Sequence, residues 1–265
     1  MEVLLVYTRL KETSERLSLR LEGLLEGAGH RVTRLDVESL EGRKFDVDLG
    51  VAIGGDGTIL RAFHHLEDPE TPVLPISVGR GGYLAEVGPE SAQEALERLI
   101  GGSFYTERHM RIRVEADGDR VADVVNDAYV SATEPGKVIE YSISLDGFSL
   151  NGIVSDGLVV STPVGSTAYS FSCGGPAVDD SVECIVASPV APITYFRPIV
   201  ISGLKSVEVE VAGGRATVLC DGYVRRDALR VARFYKSPHY AVLVRVGVGP
   251  LFERRLRKRL GWTIR

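Results

Sequence analysis

Val47-Asp48-Leu49-Gly50-Val51-Ala52-Ile53-Gly54-Gly55-Asp56-Gly57-Thr58-Ile59-Leu60-Arg61-Ala62-Phe63 passes from an apolar run through three glycines into residues with helical spacing. A strand therefore hands over to a helix at Gly54 to Thr58. Glycines at this density leave the backbone free to take positive φ and to approach a ligand, and the first helical turn offers unpaired N–H groups and a positive dipole end. That combination seats phosphate. A Walker loop carries a Lys before its Ser/Thr; here Asp56 and Gly57 stand there, so the centre of the loop is negative. A carboxylate beside phosphates needs a bridging cation or a proton to accept, and both uses point to phosphoryl transfer. The plainer alternative is a tight turn with Asp56 as a helix cap.

On either side, strands alternate with helices. Val3 to Tyr7, His30 to Val37 and Val73 to Val78 read as further strands. Leu17, Leu21, Leu24, Leu25 and Ala28 mark a helix over about 13–28 that stops at Gly29. Ala92 to Ile100 reads as another helix, with Ser91 and Glu94 in capping-box register and Gly101-Gly102 after it. Such alternation implies parallel βαβ units with ligands at the carboxyl ends of the strands, where Gly54–Thr58 and a second glycine turn, Gly79-Arg80-Gly81-Gly82, both fall. Near residue 103 the period changes to two. Met110, Ile112 and Val114, then Ile139, Tyr141 and Ile143, then Val207, Val209 and Val211 alternate with polar residues. Asp117-Gly118, Asp146-Gly147, Asn151-Gly152 and Gly213-Gly214 supply turn signals. The expected architecture is an α/β domain, 1–103 plus about 245–265, and a mostly antiparallel β domain, 104–244. In the tail, Leu251, Phe252, Leu256 and Leu260 share a helical face between Arg254, Arg255, Arg257, Lys258 and Arg259. This reads as a terminal helix with solvated charges rather than a membrane or partner helix.

The 265 residues are 44% hydrophobic and 25% charged with a net charge of -5, which excludes a disordered chain and any general attraction to nucleic acid or anionic membrane. No signal peptide or membrane-spanning stretch is legible, so a cytoplasmic location is expected. Cys173, Cys184 and Cys220 lack CxxC spacing and read as reduced and buried. The five histidines form no HExxH pair, so no His-held catalytic metal is expected.

Ser155 to Pro176 is dense in hydroxyls and glycine after an apolar strand: Ser155-Asp156-Gly157-Leu158-Val159-Val160-Ser161-Thr162-Pro163-Val164-Gly165-Ser166-Thr167-Ala168-Tyr169-Ser170-Phe171-Ser172-Cys173-Gly174-Gly175-Pro176. Hydroxyls suit a ligand such as ribose or its phosphate, and Asp156 suits sugar hydroxyls or a cation. Helix-capping by a Ser/Thr-rich loop is the alternative. Gly54 to Thr58, Val125-Asn126-Asp127, Ser155 to Pro176, Ala191-Pro192 with Arg197-Pro198, and Phe252 through Leu260-Gly261-Trp262 occur in an order and spacing that resemble the NAD kinases, ATP or polyphosphate dependent. The likeness covers nearly the whole chain. The GGDGT block by itself is shared with lipid kinases and, in part, phosphofructokinases.

The resemblance implies the NAD kinase and diacylglycerol kinase-like fold, α/β then β. It implies phosphoryl transfer from ATP or polyphosphate, with Mg²⁺ or another divalent cation, to the 2′-hydroxyl of the adenosine ribose of NAD, giving NADP. It also implies a homodimer or homotetramer. Asp56 matches the proton acceptor, and Gly54, Gly55, Gly57 and Thr58 form the phosphate loop. Gly57 and Arg61 lie along the ligand. Asn126 and Asp127 match the pair at the adenine end, and Asp156 matches an acidic NAD contact. Thr167, Ala168, Tyr169, Ser170, Phe171 and Ser172 match the segment enclosing the adenosine, and Ala191 is carried with them. The chain departs from the family pattern at Ser77, Gly81, Asp127 and Val154, and Lys137 after Pro135-Gly136 is a candidate substitute cation. Two other classes compete with a NAD kinase. A lipid or sphingoid kinase should lack the Asp156 to Pro176 block, and a non-catalytic dinucleotide sensor would gain from a neutral or basic residue at position 56.

Overall fold

The computed structural model describes residues 1–79, 82–212 and 215–247, together with Phe252 and Leu256. Two compact units divide the chain, one formed by Met1–Arg108 with Tyr240–Arg265 and the other by His109–His239.

The first unit contains β1 (Glu2–Tyr7), α1 (Glu12–Gly27), β2 (Arg31–Asp36), β3 (Leu49–Gly54), α2 (Asp56–His64), β4 (Val73–Ser77) and α3 (Ala92–Ile100), with a 3-10 turn at Val37–Leu40. The sheet runs in the order β2-β1-β3-β4, all parallel. Every residue of β3 and β4 is buried, as expected of parallel strands covered on both faces. Val3, Leu5, Val51, Ile53, Leu74 and Ile76 pack with Leu17, Leu21 and Leu25 of α1 and Ala95, Leu96 and Leu99 of α3. Each fully buried Leu contributes about 1.5–3 kcal/mol. α1 ends where expected, at Gly29 with φ +84°. The capping box before α3 does not form. Ser91 sits at the N-cap without a side-chain cap bond, and its hydroxyl turns back to the Gly88 carbonyl, 3.4 Å away.

The second unit follows with β5 (Tyr105–Ala116), β6 (Asp119–Val124), β7 (Asp127–Ala132), β8 (Ile139–Leu145), β9 (Phe148–Ser155), β10 (Gly157–Ser161), α4 (Tyr169–Ser172), β11 (Cys184–Val190), β12 (Ile199–Ser202), β13 (Val207–Val211), β14 (Ala216–Cys220), β15 (Val224–Leu229) and β16 (Val231–Arg245). A 3-10 turn, Val164–Thr167, precedes α4. One sheet has the antiparallel order β12-β11-β10-β7-β14-β15. In the other, β16 pairs with β13, β13 with β8 and β8 with β9, all antiparallel, and β5 pairs with β6 and β16. Ile112, Tyr141, Ile143 and Val209 from this sheet pack with Val130, Val160, Ile185 and Val218 from the six-stranded one, so the period-two residues form one core. The end of β16 belongs to the first unit, where Leu243 pairs parallel with Val73.

Asp117-Gly118 and Asp146-Gly147 turn with positive φ at both residues, the backbone of a two-residue hairpin. Asn151-Gly152 does not turn the chain. The pair lies inside β9, where the register against β8 shifts between Tyr141 and Ile143, so it forms a bulge with Gly152 at φ +69°. Asp146-Gly147 has already reversed the chain five residues earlier. Cys173 is half-buried, Cys184 and Cys220 are buried, and all three are free. Phe252 and Leu256 are helical and half-buried. Gly213-Gly214, Gly81, Leu251, Leu260 and the basic tail residues lie outside the described residues. Among the described residues no helix is long and apolar enough to cross a membrane.

Candidate active site

The glycine loop is built differently from the expectation of positive φ. None of Gly54, Gly55 and Gly57 has it. Gly54 is required by packing, because a Cβ there would lie 2.3 Å from the Thr58 hydroxyl. Gly55 is the N-cap of α2 in an extended conformation, which leaves Asp56 as the first helical residue rather than the cap. A Cβ on Gly55 or Gly57 would meet nothing within 4 Å, so this side of the loop is open to a ligand. Asp56 is half-buried and its carboxylate is held from the second glycine turn. Tyr83 N–H donates to both of its oxygens at 3.0 and 2.8 Å, and Leu84 N–H donates to Oδ1 at 3.1 Å. Gly82 permits this, since a Cβ there would be 2.8 Å from Ser77 Oγ.

Two cations that sequence reasoning missed hold the backbone at Val78 and at Leu84. Lys11 Nζ donates to the Val78 carbonyl at 2.9 Å. Arg245, fully buried, donates to the Leu84 carbonyl at 2.8 Å and to Glu107 at 2.8 Å. Neither stands in a motif; each is one basic residue whose partner is brought to it by the sheet. Arg61 is ion-paired with Glu38 at 2.5 Å, which holds the Glu38 carboxyl below its ordinary range.

In the β unit the expected ligand residues gather around Val125-Asn126-Asp127. The organiser is Asp221, a residue that sequence reasoning passed over. It is 7% exposed, adopts φ +48° in the turn between β14 and β15, and accepts N–H groups from Val125 at 2.9 Å, Asn126 at 2.8 Å and Asp127 at 3.2 Å. Its own N–H donates to the Asp127 carbonyl at 2.8 Å. From the hydroxyl-rich block, Thr162 Oγ1 donates to the Val125 carbonyl at 2.6 Å and accepts Gly165 N–H at 3.0 Å. A Cβ on Gly165 would lie 2.0 Å from the Asn126 carbonyl oxygen, so only glycine lets this segment lie against the loop. Asn126 Oδ1 is buried without a hydrogen-bond partner, an acceptor the described residues leave unsatisfied.

Burial, reinforced by the Asp221 charge, pushes the Asp127 carboxyl up to about 7, while a Tyr169 N–H bond to it pulls the other way. The Tyr129 and Tyr169 rings meet edge to face at 5.3 Å, and the Tyr129 hydroxyl donates to the Asp156 carbonyl at 3.3 Å. Burial, with Tyr169 beside it, raises the Tyr129 hydroxyl to about 12. Asp156 is exposed, and its N–H bonds the Val190 carbonyl at 3.0 Å, next to Ala191 at φ +44°. Thr167 is buried, Ala168 and Phe171 are half-buried, and Ser172 is exposed; Ser170 is buried with its hydroxyl 2.8 Å from that of Ser188. Lys137 is exposed in a turn, and among the described residues its ammonium has no hydrogen-bond or ion-pair partner. Nothing in the structure ties it to this cluster.

Residues 2–104 match the family model for the ATP-NAD kinase N-terminal domain, and residues 125–246 match the model for the ATP-NAD kinase C-terminal domain. Among curated relatives, the NAD kinase of Methanopyrus kandleri is 39% identical over 219 residues, 82% of this chain and 79% of that one. The NAD kinase of Thermococcus gammatolerans is 34% identical over 96% of this chain and 98% of its own. Among solved structures, an NAD kinase from Archaeoglobus fulgidus in complex with ATP superposes with a TM-score of 0.83 at 28% identity, covering 99% and 100% of the two chains. Yeast NADH kinase complexed with NADH, at 19% identity and a TM-score of 0.86 over 100% of this chain and 89% of that one, shares the fold. With both domain models matched in order, the chain belongs to the NAD kinases, the family of phosphotransferases that converts NAD to NADP.

Proposed function

We propose that ATP or polyphosphate supplies the phosphoryl group, that Asp56 accepts the proton of the ribose 2′-hydroxyl, and that residues 104–244 hold NAD while 1–103 with about 245–265 carry the phosphate loop. The observation that carries this reading is the grip of two N–H groups, through three contacts, on Asp56 beside an open glycine backbone. A carboxylate so held cannot rotate away. It takes the proton late, once bond formation to phosphorus has made the hydroxyl acidic, and the shortened donor leaves with the electron pair. Gly54, Gly55, Gly57 and Thr58 present the helix N-terminus to the donor phosphates, and Arg61 lies one turn further along.

Asn126, with its orphaned acceptor, and Asp127 read the adenine edge. Asp156, Thr167, Ala168, Tyr169, Ser170, Phe171, Ser172 and Ala191 enclose the adenosine, and Lys137 is an outlying cation. The ATP complex of the Archaeoglobus fulgidus enzyme supports ATP as donor. The donor set suits Mg²⁺ or another divalent cation carried in on the phosphates. Among the described residues no group of three or more Asp, Glu, His or Cys side chains is arranged to hold a metal ion, whereas Asp56 can share a cation with phosphate oxygens. That cation offsets triphosphate charge beside Asp56. A homodimer or homotetramer working in the cytoplasm, without nucleic-acid or membrane partners, completes the proposal.

The test is to incubate the protein with NAD, Mg²⁺ and either ATP or polyphosphate and assay NADP. Product with one donor identifies it. Binding of NAD with no product from either donor would leave a dinucleotide sensor.

A further inference from the structure

We infer that Asp221 is a positioning residue for the dinucleotide: its hidden carboxylate fixes the backbone of Val125-Asn126-Asp127 so that the Asn126 and Asp127 side chains are presented together. This rests on the proposal that those two side chains read adenine. Three consecutive N–H groups pointing at one carboxylate make a tight concave backbone, and each would be an unpaired donor without it. The return bond from Asp221 N–H to the Asp127 carbonyl closes the loop against the β14–β15 turn. On the far side Thr162 holds both carbonyls, its hydroxyl donating to Val125 and its N–H to Asn126, and Gly165 packs against the loop. With its backbone taken up from both sides, the loop leaves Asn126 Oδ1 as the buried atom without a partner.

Asp221 also acts on Asp127 through its charge. The groups facing the Asp127 carboxyl are Asp221 and Cys220 from the β14–β15 side and Tyr169 and Cys173 from α4 and its end. Arg111, buried under the loop, faces Asp221 and donates to the Asp123 carbonyl at 3.2 Å. An ionised Asp127 only accepts hydrogen bonds, which matches the donor amine of adenine. Binding should therefore strengthen as Asp127 loses its proton, and Asp221 sets where that happens.

The experiment measures equilibrium NAD binding by calorimetry from pH 6 to pH 8, with kcat at saturating NAD in parallel, for wild type, Asp221→Asn and Asp127→Asn. The wild-type Kd should weaken about tenfold from pH 8 to pH 6, following the ionised fraction of a group titrating near 7. Asp127→Asn should flatten that dependence. Asp221→Asn should raise Kd at pH 8 about tenfold, shift the transition to lower pH because a like charge is gone, and keep kcat within about twofold. A wild-type Kd and pH profile in Asp221→Asn would overturn the inference while leaving the proposed function standing. Failure of the wild type to bind NAD would overturn the proposed function itself. Should Asp221→Asn not fold, amide exchange in the wild type decides. Val125, Asn126 and Asp127 should exchange as slowly as β7, and exchange at the rate of an exposed turn would refute the role.

Discussion

The two ligand-bearing loops use one interaction in opposite senses. In the α/β unit the carboxylate of Asp56 is the group proposed to carry the chemistry, and the N–H groups of Tyr83 and Leu84 hold it still. In the β unit the N–H groups belong to the loop proposed to hold the dinucleotide, and the carboxylate of Asp221 is the hidden clamp. A carboxylate with several backbone donors is a rigid joint, and whether it is a tool or a support depends on which side of the joint faces the ligand. The glycines divide in the same way. Gly54 and Gly165 are small because the protein fills the space, and Gly55 and Gly57 are small because the protein leaves it empty.

Substitutions separate tool from support. Asp56→Asn keeps the shape and removes the proton acceptor, so kcat should fall by about two to four orders of magnitude while NAD binding persists; unchanged turnover would remove Asp56 from the mechanism. Gly165→Ala drives a Cβ into backbone, a clash that rotamer changes cannot relieve. We expect a loss of about 3 kcal/mol or more in denaturant unfolding, with NAD binding lost in whatever folds. A stable Gly165→Ala protein would mean the loop yields more readily than its contacts suggest.

Asp127→Asn should do the reverse. Burial and Asp221 raise the Asp127 carboxyl to about 7, so the folded chain binds this proton more tightly than the unfolded chain does. Stability from this group is complete below the unfolded value near 4 and is lost as pH rises toward 7. The Asn variant should therefore be more stable at pH 8 by about 3 kcal/mol, with weaker NAD binding, as read by chemical denaturation and calorimetry. Asp123 has the opposite sign. Burial alone would raise it, but bonds from Arg113 and Ser237 and the charges of Arg120 and Arg111 bring it down to about 2. Its contribution, about 2 kcal/mol, is present above pH 4 and fades as pH falls through 2, so an acid unfolding limb should shrink in Asp123→Asn. The smallest effect belongs to Gly55→Ala. Its methyl meets open space, so stability should change by about 0.5 kcal/mol or less while KM for the donor rises several-fold. An unaffected donor KM would place the phosphates elsewhere.

Much of the fold was legible because its signals are local. Leu17, Leu21 and Leu25 repeat at the helical period and pack where that period sends them. Val207, Val209 and Val211 alternate and turn inward. Local signals failed where two of them competed. Asn151-Gly152 resembles a hairpin turn, but Asp146-Gly147 had turned the chain and the second pair was left as a bulge. Ser91 could cap a helix, but its hydroxyl found the Gly88 carbonyl. In the candidate site, Asp56, Asn126 and Asp127 stood out through unusual neighbours. Asp221, Lys11 and Arg245 are ordinary residues in ordinary company, and their partners lie 94 to 96, 67 and 161 positions away.

By itself the sequence determined the order and type of most elements, the two periodicities that separate the α/β and β units, and the segments proposed to touch ligand. Each follows from the chemistry of neighbouring residues. Only the tertiary structure decided which carboxylate is presented and which is hidden, which glycines are crowded and which are open, and why Asp127 holds its proton to about pH 7. Those properties depend on desolvation and on charges brought within hydrogen-bond reach from distant strands, and no local pattern carries them.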